Sequence, residues 1–126
     1  MLKAINPATV TKSPAYGQGI EATGVQRMLF VSGQVGAKAD GSIGQNIQEQ
    51  TVIAITNLNA VLAEGGMSSS DIAKLTIYLT DEASLPGFME VASASLSAQP
   101  PATTLLFVKA LASPQLLIEV EAIAVK

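Results

Sequence analysis

The stretch Thr103 to Lys126, TTLLFVKALASPQLLIEVEAIAVK, constrains the fold more than any other part of the chain. It reads as two strands joined at Ala112-Ser113-Pro114 and ends in a nearly charge-free run broken by two carboxylates. Side chains alternate along a strand, so Leu116, Ile118, Val120, Ala122 and Ala124 share one face and Leu117, Glu119, Glu121, Ile123 and Val125 the other. Both faces are largely apolar, which a strand with one wet side does not tolerate; one face needs helices and the other either more helices or another subunit. Only two segments further up the chain have helical spacing. The expectation is a sheet with helices on one face and an oligomer interface on the other.

The composition agrees. Charged residues make up 13% of the chain, against ~25% in ordinary soluble proteins, so much of the surface is expected to be covered by protein. The length of 126 residues fits a single domain, 1–126, with enough core to need neither disulfide nor metal. No apolar run reaches the ~18 residues of a membrane span, and the opening MLKAINPATV lacks the basic and apolar regions of a secretion signal. No membrane association and a cytoplasmic location are therefore expected. The chain contains no Cys and no His, which removes thiolate chemistry, the commonest general base and the commonest metal ligand. A formal net charge of −3, with Arg27 as the one arginine, provides no basic stripe for phosphates, so no nucleic-acid partner is expected.

Taken in order, Leu2 to Ile5 is a short strand, Tyr16 to Thr23 a looser one, and Arg27 to Ser32 a third with two apolar faces. Ser32-Gly33-Gln34-Val35-Gly36 is expected to end that strand, either as a chain reversal or as exposed backbone amides that hold a ligand. Asn46 to Glu64 has helical spacing, with Ile47, Ala54, Ile55, Leu58, Val61 and Leu62 inward and Gln48, Asn57 and Glu64 outward; Gly65-Gly66 marks its end. Ile72 to Thr80 alternates cleanly, Leu75, Ile77 and Leu79 against Thr76, Tyr78 and Thr80. A second helix runs from Ser84, as N-cap, to about Ser97, with Leu85, Phe88, Met89, Ala92 and Leu96 inward. The order β-β-β-α-β-α-β-β predicts an α+β two-layer sandwich with both helices on one face of a mixed sheet.

Five pieces of the chain, in order, resemble the reactive intermediate deaminase (Rid, or YjgF) family. They are Ser13-Pro14-Ala15-Tyr16-Gly17-Gln18-Gly19, Leu29-Phe30-Val31-Ser32-Gly33-Gln34-Val35, Ala63-Glu64-Gly65-Gly66-Met67, Lys74-Leu75-Thr76-Ile77-Tyr78-Leu79-Thr80-Asp81, and the closing Leu117-Ile118-Glu119-Val120-Glu121-Ala122-Ile123-Ala124. The resemblance implies a chorismate-mutase-like fold, a homotrimer with its sheets inside, and small-molecule clefts between neighbouring subunits. It also implies hydrolysis of reactive enamines and imines without cofactor or metal. Carried over position by position, the family's tyrosine falls on Tyr16, the backbone of its S-G-Q motif on Ser32 and Gly33, and its acidic residue on Glu119. The arginine that grips a substrate carboxylate falls on Thr103, and a cysteine two positions on falls on Leu105.

Thr103 therefore departs from the pattern. A hydroxyl offers one neutral hydrogen bond where a guanidinium offers a bidentate, charge-assisted pair. The candidate site comprises Glu119 as acid/base, with Tyr16, Ser32, Gly33, Thr103 and Leu105 as substrate-binding residues. Its expected ligand is smaller, neutral or more apolar than an amino-acid-derived imine. Three functions are open at this point: a cofactor-free enamine/imine hydrolase of weakened or altered range, a non-catalytic binding or regulatory trimer, and, least favoured by the charge and the lack of His, an endoribonuclease or translation inhibitor.

Overall fold

Asn46 starts the first helix because its side-chain oxygen accepts the Glu49 amide at 2.8 Å, while the Glu49 carboxylate reaches back to the Gln45 amide at 2.8 Å. One of the unpartnered donors of the first turn is thereby met, together with the amide just ahead of the cap. Helix α1 (Ile47–Glu64) stops at Gly65-Gly66; Gly66 takes φ +72°, open to glycine, and the Met67 amide returns to the Leu62 carbonyl at 2.8 Å. Arg27 Nη1 donates to the Gly65 carbonyl at 3.0 Å and Lys126 Nζ to that of Gly66 at 3.2 Å. These cations complement the negative end of the helix dipole and tie it to two strand ends.

The computed structural model describes residues 1–95 and 99–126. Besides α1, its elements are β1 (Leu2–Ile5), β2 (Gly19–Ala22), β3 (Met28–Val35), β4 (Ile72–Leu79), α2 (Leu85–Ala92), β5 (Ala102–Phe107) and β6 (Ile118–Val125), in the element order expected. The main sheet has the strand order β3-β6-β4-β5, parallel between β4 and β5 and antiparallel elsewhere. That parallel pair requires a crossover, and α2 supplies it. The first two strands are not part of this sheet: β1 and β2 form an antiparallel hairpin of their own, joined to the β5 edge by a bridge between Gly17 and Ala102.

The strand register sorts the two faces. Leu75, Ile77 and Leu79 of β4 stand beside Ala122, Val120 and Ile118 of β6, and Leu29 and Val31 of β3 beside Ala124 and Ala122. With Ala54, Leu58 and Leu62 of α1 and Phe88 of α2 they form the core. At about 25 cal/mol per Å² of apolar area removed from water, this layer is the main source of stability. Among the described residues no helix covers the other face.

Several expectations need correction. Strand β3 does not end at Ser32; it continues to Val35 through a bulge, since Val31 pairs with Ala122 and Gln34 already with Val120. One residue too many is fitted there, and the strand bends rather than reversing. The inward side of α1 includes Gln50 and Thr51, both buried, whereas Asn57 donates to the Val35 and Ala37 carbonyls at 3.2 and 2.9 Å instead of facing outward. Helix α2 is shorter than expected and passes into a 3-10 turn at Ser93–Ser95. Ser84 makes no side-chain cap and Met89 is exposed. The expected tail of that helix, Leu96 and Ser97, lies outside the described residues. The link from β5 to β6 is not a tight turn at Ala112-Ser113-Pro114 but the whole of 108–117.

Candidate functional site

Glycine at position 33 is dictated by a side chain from the neighbouring strand. A Cβ built on Gly33 would collide with the Glu119 carboxylate, which lies directly against the bare backbone of the bulge. The φ of Gly33 is not positive, so space and not backbone freedom is what excludes other residues. Ser32 and Gly33 are exposed on β3, an edge strand with a free side. The structure thus brings three of the expected residues, Ser32, Gly33 and Glu119, together as a carboxylate beside exposed edge-strand backbone.

The other three assemble elsewhere. The Gly17 amide donates to the Pro101 carbonyl at 3.1 Å, which holds Tyr16 against the start of β5. Thr103 Oγ1 donates to the same carbonyl at 3.0 Å, so its hydroxyl is engaged within its own strand. Thr103 is paired with Leu75 and Leu105 with Ile77, which places both on the helix side of the sheet, and Leu105 packs against the core. Glu119 is paired with Tyr78 on the helix-free side. Two strand spacings and three residues along the strand separate Glu119 from Thr103, about 14 Å on opposite faces. Among the described residues the two groups of candidate residues therefore lie apart, on opposite faces of the sheet. Two shallow concavities, of about 230 and 270 Å³ around Lys38 and Ile53, hold none of these residues.

Around Glu119 the helix-free face is more polar than its sequence neighbours imply. The Tyr78 hydroxyl donates to Glu121 Oε1, and Lys74 Nζ donates to Thr104 Oγ1 at 2.7 Å. Its hydrogen bond to Glu121, together with desolvation and the nearby Glu121 and Glu119 charges, raises the Tyr78 pKa above the usual phenol value. Glu121 is held by a tyrosine of its own chain. Tyr78 lies on the same face as Glu119; the alternation of β4 sets it opposite Leu75, Ile77 and Leu79, and what it bonds to follows from the register of β4 on β6.

Gln50 is the other residue that apolar periodicity passes over. It is 1% exposed, and its amide donates to the Gly44 and Gln115 carbonyls at 3.0 and 2.9 Å while its oxygen accepts the Leu117 amide at 2.8 Å. A Cβ on Gly36 or Gly44 would overlap the Gln50 residue. One side chain from α1 thus ties the loop after β3 to the segment that leads into Glu119.

Comparison with known proteins agrees with this architecture. The family model described as endoribonuclease L-PSP matches residues 8–126. A RutC family protein of Saccharolobus solfataricus is 38% identical over 113 residues, 88% of this chain and 86% of its own length. Among solved structures, YyfB of Yersinia pestis, a protein of unknown function of the conserved Rid family, superposes with a TM-score of 0.88 at 32% identity, covering 99% of this chain and 98% of that one. Escherichia coli TdcF with bound serine superposes with a TM-score of 0.73 at 29% identity, covering 96% and 93%; TdcF is named, provisionally, a reactive intermediate deaminase. A family match spanning nearly the whole length, on a fold that superposes throughout, means that the chain belongs to the endoribonuclease L-PSP family, the Rid/YjgF proteins.

Proposed function

We propose that the protein is a cofactor-free hydrolase of small enamines or imines, acting in clefts between the subunits of a homotrimer, with a preference for neutral or apolar substrates over amino-acid-derived ones. The observation that carries this reading is the Glu119 carboxylate held against the exposed bulge at Ser32-Gly33. A carboxylate can move a proton between water and the imine carbon or nitrogen, and edge-strand amides can polarise the group under attack. Water adds to the C=N carbon, its proton passing through Glu119 to the nitrogen, and the carbinolamine collapses to carbonyl compound and ammonia. Tyr16, Thr103 and Leu105 of a neighbouring copy close the cleft. The separation of the two half-sites within one chain supports a shared site.

The substrate preference rests on Thr103. With its hydroxyl already bonded to Pro101, it presents no cation to a carboxylate. Losing a buried charge-assisted pair costs on the order of 2–5 kcal/mol, or roughly 30-fold to several-thousand-fold in affinity. The same observation favours a second reading, a trimer that keeps the cleft for binding and has no catalysis. An endoribonuclease activity has no such support: the chain has no His and a formal net charge of −3.

The test is to generate 2-aminoacrylate, a branched-chain imine and a neutral imine enzymatically or chemically in the presence of the protein and follow carbonyl release. The hydrolase reading expects acceleration that is largest for the neutral imine and is lost in Glu119→Gln. No acceleration with any of the three, together with saturable binding of a neutral carbonyl compound, leaves the binding trimer in its place.

A further inference from the structure

Two amide side chains of α1 grip the sheet from the side away from Glu119. Gln50 and Asn57 lie two turns apart on one face of the helix. Gln50 accepts the Leu117 amide at 2.8 Å, two residues before Glu119, and donates to the Gly44 and Gln115 carbonyls. Asn57 donates to the Val35 and Ala37 carbonyls at 3.2 and 2.9 Å. Val35 is the residue of β3 that stands opposite Glu119, and it lies two residues beyond Gly33. The loop that follows is folded onto Gln50: the Gly44 amide donates to the Gly36 carbonyl at 3.0 Å, and a Cβ on either glycine would overlap the Gln50 residue. One helix thus fixes backbone about 7 Å along β3 from Gly33 and about 7 Å along the chain from Glu119.

We propose that Gln50 and Asn57 are positioning residues for the candidate site: together they set the spacing between the Gly33 bulge and the Glu119 carboxylate. The proposal deepens the reading of Glu119 as the acid/base and rests on it. The physical reason lies in the bulge itself. The regular pairing of β3 with β6 is interrupted between Val31 and Gln34, where Gly33 sits, so the ladder does not hold the two strands in step at that point. The other side of β3 has no neighbouring strand to steady it. An outside reference is needed, and α1 supplies one to each strand: Asn57 to β3 at Val35, Gln50 to the entry of β6 at Leu117. Bonds of this kind, made away from water, are costly to leave unmade and so hold the backbone in one place. Neither amide reaches the reacting atoms. Each acts through the backbone it holds, and a proton-transfer group tolerates a misplacement of only a fraction of an ångström.

The test compares Gln50→Leu and Asn57→Ala with Leu62→Ala, a core truncation near the other end of α1. The intact protein is labelled with ¹⁵N-glycine, and among its ten glycines the Gly33 amide resonance is assigned by its loss in Gly33→Ala. That resonance is expected to shift or split in Gln50→Leu and in Asn57→Ala and to stay in place in Leu62→Ala. In the imine assay kcat should fall by about tenfold or more in both amide variants while KM stays within about twofold. Leu62→Ala, whose cavity lowers the melting temperature at least as far, should keep kcat within about twofold. Asn57 is only half-buried, so Asn57→Ala decides the matter where Gln50→Leu does not fold. A Gly33 resonance that neither amide variant moves, or a kcat that simply follows the melting temperature across all three variants, overturns the proposal. Should wild type show no imine hydrolysis while the Gly33 resonance still moves only in the amide variants, the hydrolase reading fails and the anchoring of the bulge against Glu119 stands.

Discussion

Gly33 admits no side chain because the space over it belongs to Glu119, and what would be displaced is the flexible end of that side chain and not backbone. Gly33→Ala is therefore expected to leave the melting temperature nearly unchanged while lowering kcat/KM by roughly 100-fold, since an ångström of misplacement is enough for that; steady-state kinetics and a thermal melt on the same preparation check the two halves. Thr103→Arg should act in the opposite sense. A guanidinium at the start of β5 should tighten binding of a small keto acid by roughly 30-fold or more, read by titration calorimetry, with little effect on a neutral ketone. Tyr78 has a pH signature in stability. Its folded pKa lies above its unfolded value, so its contribution is fully present below the ordinary phenol pKa and is lost as pH rises through the folded one. Denaturation midpoints should fall on the alkaline side, and Tyr78→Phe should flatten that fall.

At the scale of elements, Gln50 joins α1 to two loops through three hydrogen bonds. Gln50→Leu keeps the volume and strands two carbonyls and one amide, so it should cost about 2–4 kcal/mol in urea denaturation. The elements were largely legible in the sequence, because α1 has helical spacing with a Gly65-Gly66 stop and β4 alternates without interruption. Where legibility failed, the deciding contact was between strands and not along one. Ser32-Gly33 looks like a strand end, since glycine signals a break locally, and only the approach of Glu119 explains a bulge there instead. Gln50 is polar and so is invisible to a search for an apolar stripe, although it is among the most buried residues of α1. The site residues named from sequence fall into two groups that the fold keeps apart, Ser32, Gly33 and Glu119 on one side and Tyr16, Thr103 and Leu105 on the other. Sequence order carries no information about that division; the strand register does.

For the molecule as a whole, the helix-free face is the unresolved surface energy of the chain. Phe30 is 67% exposed, Met28 55% and Leu106 46%, all on the side that the helices do not cover. Strand β3 also leaves a long free edge, which proteins ordinarily cover or charge. Three copies packed with these faces inward would bury the apolar residues and cover the edge, in keeping with closed cyclic symmetry. The most direct measurement is sedimentation equilibrium of the purified protein at micromolar concentration. The account predicts one species of three times the 12.9 kDa chain mass, whereas a particle of the mass of one chain would contradict the shared cleft and every role assigned to it.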